Sequence, residues 1–133
     1  MARAYAARHV LPLAFEVVAT PDLFPGHSLS FTDVSFDDVG IRVEYTIAPA
    51  VAMRNPGIGW VGYGRDDLGN DYEDVGGAYG QARDGDRTNG VLTMPFPIDE
   101  ATTLRVRLRP RSDTAGFEDD GSPAYEVLVH LEL

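Results

Sequence analysis

The chain has 133 residues, 11 basic and 21 acidic, for a formal charge of −10 and a pI near 4.5, and it is long enough to bury a core without metal or disulfide staples. Zero cysteines exclude a disulfide framework, a Cys-ligated zinc or iron–sulfur centre and a thiol nucleophile. The acidity argues against a DNA-binding module, which brings a basic face to the phosphates, and the all-arginine basic content fits either codon bias or adaptation to salt.

Residues 1–8 read as a flexible arm ahead of one domain. The apolar run Val10 to Phe15 is too short for a signal peptide or a membrane span and is interrupted by Pro12. The chain is therefore cytoplasmic if Met1 is its native start, and otherwise a mature exported segment. A first strand is predicted over Leu13–Ala19. From His27 to Phe36 the apolar residues slip register: Leu29 and Phe31 are odd, Val34 and Phe36 even. One extra residue near Thr32-Asp33 restores a common face, so a β-bulge is predicted there.

Asp37-Asp38-Val39-Gly40 supplies turn chemistry, with Gly able to take φ > 0, and makes a hairpin with Ile41–Ile47, where Ile41, Val43, Tyr45 and Ile47 alternate with polar residues. Further strands are predicted at Gly57–Tyr63, Asp71–Val75 and Val91–Phe96. Loops are predicted at Asp22–Gly26, Ala48–Pro56, Gly76–Gly90 and Ser112–Pro123, and one helical turn at Pro97–Thr102. Leu104-Arg105-Val106-Arg107-Leu108-Arg109 gives the clearest alternation, and Tyr125, Val127, Val129, Leu131 and Leu133 share the last apolar face. The reading is all-β: an antiparallel sandwich of seven to eight strands with at most one helical turn.

The succession of Ser28–Ile47, then Arg65-Asp66-Asp67-Leu68-Gly69-Asn70-Asp71-Tyr72 with its Asp-x-x-Gly-Asn-x-Tyr turn, then Pro95–Val106 with its Pro-x-x-x-Ala-x-x-Leu-x-Val strand entry, spans roughly residues 28–109 and resembles the immunoglobulin-like accessory domains of bacterial, especially actinobacterial, proteins. That resemblance implies an immunoglobulin-like sandwich and says little of function. The Cys…Trp…Cys arrangement of antibody-type domains is absent.

Several constellations bear on chemistry. Gly57-Ile58-Gly59-Trp60-Val61-Gly62 has dinucleotide-binding spacing, but no helical period follows it, so it reads as a strand whose glycines make room for a neighbour. Asp66, Asp67, Asn70, Asp71, Glu73 and Asp74 crowd one turn. Charges about 6 Å apart repel by roughly 0.7 kcal/mol in water, a cost that Ca²⁺ would relieve and that a solvated hairpin would simply bear. Asp84–Gly90 begins like an EF-hand loop, yet Asn89 holds the sixth position and Pro95 the twelfth. Glu118-Asp119-Asp120-Gly121 reads as a solvated turn.

Arg105, Arg107 and Arg109 form a stripe that either docks an anionic partner or pairs with Glu126, Glu132 or Glu44. His9, His27 and His130 have no metal-ligand spacing, and His130 is expected to make a cross-strand hydrogen bond. Trp60, Tyr63, Tyr72 and Tyr79, interleaved with glycines, offer a binding surface or a core.

Strand patterning without catalytic patterning implies a non-catalytic binding or interaction module, with a protein as partner, no nucleic acid and no membrane span. Two alternatives stand beside it: a small acidic cytoplasmic regulator or inhibitor masking a basic partner, and a calcium-binding sandwich. A hydrolase would need His27 or His130 beside a carboxylate in a deep pocket. No cofactor other than calcium is suggested, and the molecule is expected to be a monomer or a homodimer paired through a strand edge.

Overall fold

A computed structural model of the chain describes residues 11–23, 26–38, 40–50, 60–73, 80–110 and 123–132. These residues are all-β, in ten strands: β1 (Leu11–Pro12), β2 (Phe15–Ala19), β3 (Ser28–Phe36), β4 (Ile41–Ala48), β5 (Trp60–Asp66), β6 (Asp71–Glu73), β7 (Gly80–Asp84), β8 (Arg87–Met94), β9 (Thr103–Pro110) and β10 (Tyr125–His130). They form two five-stranded antiparallel sheets, ordered β1-β3-β4-β8-β7 and β2-β10-β9-β5-β6. No helix among the described residues is long and apolar enough to cross a membrane.

Period-two alternation builds the interior. Val34, Phe36, Ile41, Val43, Tyr45 and Ile47 of the first sheet meet Leu104, Val106, Leu108, Val127 and Val129 of the second, all buried. The register of β3 on β4 shifts between Phe31 and Asp33, the bulge expected from the parity slip, which returns Val34 and Phe36 to the inner side. A second shift lies where Val17 and Ala19 of β2 oppose the consecutive Val127 and Glu126, leaving Val18 as the extra residue on that edge.

Four expectations are corrected. The strand drawn over Leu13–Ala19 is two: β1 joins the first sheet, the chain crosses at buried Leu13, and β2 joins the second. The loop drawn over Gly76–Gly90 contains β7 and the start of β8, closed by Gly85 at φ 61°. These additions raise the count from seven or eight strands to ten. The helical turn expected over Pro97–Thr102 is an isolated turn and not helix, closed by Ala101 N donating to Ile98 O at 3.1 Å, because Thr102 and Thr103 turn their N–H groups to Asp67 as the chain enters β9. Finally, Gly40 is required by space and not by a positive φ: a Cβ there would strike the Met94 carbonyl, while the turn closes through Asp37 N to Gly40 O (2.9 Å) and Gly40 N to Asp37 Oδ1 (3.0 Å).

Strand boundaries move slightly elsewhere: β5 runs Trp60–Asp66, β6 Asp71–Glu73 and β8 Arg87–Met94. The arm at residues 1–8, His9, Val39, Pro56, Gly57–Gly59, Asp74, Val75, Tyr79, the run Glu118–Gly121 and Leu133 lie outside the described residues.

Candidate functional site

The glycines of β5 let the two sheets close. A Cβ on Gly62 would stand 2.6 Å from Leu92 Cδ1, and one on Gly64 would stand 3.0 Å from Met94 Cε, so β5 packs flat under β8. Gly62 thus lies inside a strand and faces a leucine, which is incompatible with a pyrophosphate cradle at a helix start. With the even positions turned inward, Tyr63 and Arg65 project from the outer face of the second sheet.

On that face the register aligns side chains in rows. One row runs Asp71, Arg65, Arg105 and Leu128 across β6, β5, β9 and β10, and the next runs Glu73, Tyr63, Arg107 and Glu126. Arg65 Nε donates to Asp71 Oδ1 at 2.8 Å and its Nη2 to the Tyr63 hydroxyl at 3.1 Å, while that hydroxyl also donates to Asp71. Arg65 carries its guanidinium 5.8 Å from the Tyr63 ring centroid. Glu126 is shared: its Oε2 lies 3.2 Å from Arg105 Nε and its Oε1 3.0 Å from Arg107 Nε. Between these rows lies a groove of about 570 Å³ lined by Tyr63, Arg65, Asp66, Asp67, Thr103, Arg105, Arg107, Glu126 and Leu128.

The acidic turn closes one end of the groove, and its carboxylates already have partners. Asp66, 5% exposed, accepts from Leu68 N, Asn70 N, Asn70 Nδ2 and Tyr72 Oη at 2.8–3.0 Å. Tyr72 in turn accepts from Ile98 N at 3.2 Å. Gly69 takes φ 88°, which lets the backbone wrap around that carboxylate. Asp67 accepts from Thr102 N and Oγ1, both 2.8 Å, and from Thr103 N at 3.3 Å, strapping the turn to β9.

These bonds set the ionisation. Burial pushes the Asp66 carboxyl up, but the donors of Asn70, Tyr72 and Leu68 outweigh it and hold it below the usual carboxylate value. Thr102 does the same for Asp67, and Arg65 followed by Tyr63 for Asp71. Desolvation and the Asp71 bond push the Tyr63 phenol up, and Asp71 and Tyr63 push the Arg65 guanidinium up. Near neutral pH Asp66, Asp67, Asp71 and Arg65 are thus charged and the Tyr63 phenol neutral.

The residues expected to bind are only partly brought together. Tyr63, Arg105 and Arg107 share the groove with Asp66 and Asp67. Tyr72 is half-buried beneath the turn, packed on the core, and Arg109 stands further along β9. The backbone of Trp60 opens β5, but its side chain, like all of Tyr79, lies outside the described residues. Among the described residues no group of three or more His, Asp or Glu side chains could hold a metal ion; Asn70 Nδ2 donates to Asp66, and Asp71 accepts from Arg65.

His130 Nε2 donates to Glu16 at 2.8 Å on the open sheet face, the cross-strand bond expected of it. A second cleft, about 260 Å³, contains His27 and Asp22, and there His27 Nδ1 donates to the Pro49 carbonyl at 2.7 Å. The sequence reading missed Arg65 and Leu128, which line the groove. Alternation of Tyr63 and Arg65 along β5 was the available signal for the first.

No family model, no curated protein and no solved structure matches this chain.

Proposed function

We propose that the protein is a non-catalytic binding module whose ligand sits in the groove on the outer face of the second sheet. The observation carrying this reading is the ordered row of Arg65 and Arg105, direct cross-strand partners that open onto a 570 Å³ groove walled by Tyr63 and Leu128. A few convergent charged groups beside apolar walls are what small-ligand sites use for orientation. The groove residues also favour binding over chemistry. Asp66 and Asp67 are held ionised below the carboxylate range, opposite to the raised pKa of a general acid, and neither described histidine, His27 or His130, lines the groove. A crystallographic fragment screen with acidic, basic and neutral aromatic fragments tests the reading. Fragments are expected to gather over Tyr63, Arg105 and Leu128, and occupancy confined to the His27 cleft or to the strand ends would overturn it.

A second reading, an acidic regulator that masks a basic partner, draws on the corner where exposed Leu68 and Ile98 stand among exposed Asp67, Asp99 and Glu100. The backbone nitrogens of Leu68 and Ile98 are linked through the Asp66 carboxylate and the Tyr72 hydroxyl, so the two apolar tips share one corner. Binding of an oligoarginine peptide that weakens steeply with salt and is lost in L68S would favour this reading over the groove.

Kinship with immunoglobulin-like accessory domains is supported by the strand order. Read as A, B, E and D, the run β3-β4-β8-β7 matches one immunoglobulin sheet, and β10-β9-β5 matches G, F and C of the other, with consecutive β4 and β5 in different sheets as B and C are.

A further inference from the structure

Resting on the groove reading, we infer that the ligand presents an oxyanion, a carboxylate or a phosphate, seated between the guanidiniums of Arg65 and Arg105 and attached to a compact apolar body. These residues are register partners on β5 and β9, so like charges leave the same face at the same level. Directly opposed like charges weaken a sheet unless something negative lies close by. Among the described residues, Asp66 and Asp67 at the groove's end are taken up by Leu68, Asn70, Tyr72, Thr102 and Thr103, and the carboxylates that pair with the two arginines come from the flanks. Asp71 on β6 meets Arg65 Nε, and Glu126 on β10 meets Arg105 Nε while shared with Arg107. Both carboxylates therefore lie outboard of the pair.

A guanidinium offers five N–H donors in a planar fork matched to two oxygens. With 60% of the Arg105 side chain and 48% of Arg65 accessible, both guanidiniums keep surface open to an oxyanion beside their bonds to Glu126 and Asp71. Leu128 is the register partner of Arg105 on its other side, and Tyr63 that of Arg107, so apolar surface flanks the cationic pair. The groove is also larger than a bare ion needs, which points to an organic acid or organic phosphate. A net charge of −10 repels anions at long range, so selection rests on these local contacts and disfavours polyanions such as nucleic acid.

Calorimetric titration at constant ionic strength tests the inference, using acetate, benzoate, inorganic phosphate and phenyl phosphate, with guanidinium chloride and benzyl alcohol as cationic and neutral probes. The aryl anions are expected to bind at least ten-fold more tightly than acetate or inorganic phosphate, and the order of benzoate and phenyl phosphate identifies the headgroup. R65Q and R105Q are each expected to weaken binding at least ten-fold. R105K, which keeps the charge and loses the fork, is expected to recover only part of that loss and serves if R105Q fails to fold. Groove occupancy by the neutral or cationic probe with no anion bound, or anion binding unchanged in both glutamine variants, would overturn the oxyanion inference and leave the groove standing. Failure of every probe to bind would remove the groove reading as well.

Discussion

The outer faces of the two sheets share a geometry and differ in chemistry. On the first sheet the register aligns Ser30, Thr46 and Asn89, with Thr46 Oγ1 donating to Asn89 Oδ1 at 2.8 Å, and among the side chains described there the charged contact is Arg42 with Glu44 at 3.6 Å on one strand. On the second, equivalent rows carry Arg65, Arg105 and Arg107 with carboxylates shared between strands. The inner faces are alike, both apolar and buried. Burial dictates the inward half of each strand, which leaves the outward half open to specialise. On this molecule one face has done so.

If the inner faces are equivalent, truncation should cost the same on either. L92A and L104A, both at fully buried positions, are each expected to lower unfolding stability by about 2–5 kcal/mol in a urea titration. A large cost on only one sheet would break that equivalence. The outer faces should part at their carboxylates. D66N replaces an acceptor of four hydrogen bonds by one turning N–H groups toward donors, and about 2–3 kcal/mol is expected to be lost, whereas exposed Asp33 on the first sheet should tolerate the same change without measurable loss. E126Q, which loosens two arginines at once, is expected to cost about 1–2 kcal/mol, and E44Q no more than a few tenths.

The same asymmetry predicts a pH response. Asp66, Asp67 and Asp71 all have folded pKa values below the ordinary carboxylate value of 3.8. The unfolded chain then takes up protons first as pH falls, so their contribution is complete above about pH 5 and is lost progressively as pH drops through 3.8 and then through the lower folded values. Melting temperature followed from pH 6 to pH 2 should fall most steeply below pH 4, and D66N should make that fall shallower. The smallest effect expected is from metal. Because protein donors already occupy these carboxylates, millimolar Ca²⁺ should leave the melting temperature unchanged, and a rise reversed by chelator would show the turn to be a calcium site.

Much of this frame was legible residue by residue. The alternation Leu104-Arg105-Val106-Arg107-Leu108 shows β9 and its two faces, and the parity slip at Thr32-Asp33 shows the bulge. The start of β8 was hidden because its inward positions are Thr88 and Gly90, not apolar residues. Gly90 faces the Tyr45 ring of β4, which fills the space a side chain would take, and nothing local in Arg87–Gly90 reports that ring. The meaning of the acidic turn was hidden for a related reason. The donors to Asp67 come from Thr102 and Thr103, 35 and 36 residues away, so a run of like charge in the chain becomes a satisfied hydrogen-bond network only once β5 lies beside β9. The arginine stripe needed its partner strand in the same way. Glu126 was among the candidate counterions, but the opposition of Arg65 and Arg105 exists only in the register.

The most direct test of an outer face specialised for binding is a ¹H–¹⁵N amide map of the whole protein titrated with benzoate. Saturable shifts are expected at Tyr63, Arg65, Arg105, Arg107 and Leu128, with Arg42, Thr46, Asn89 and Thr93 on the first sheet unmoved. Equal movement on both faces, or none on the second, would contradict it.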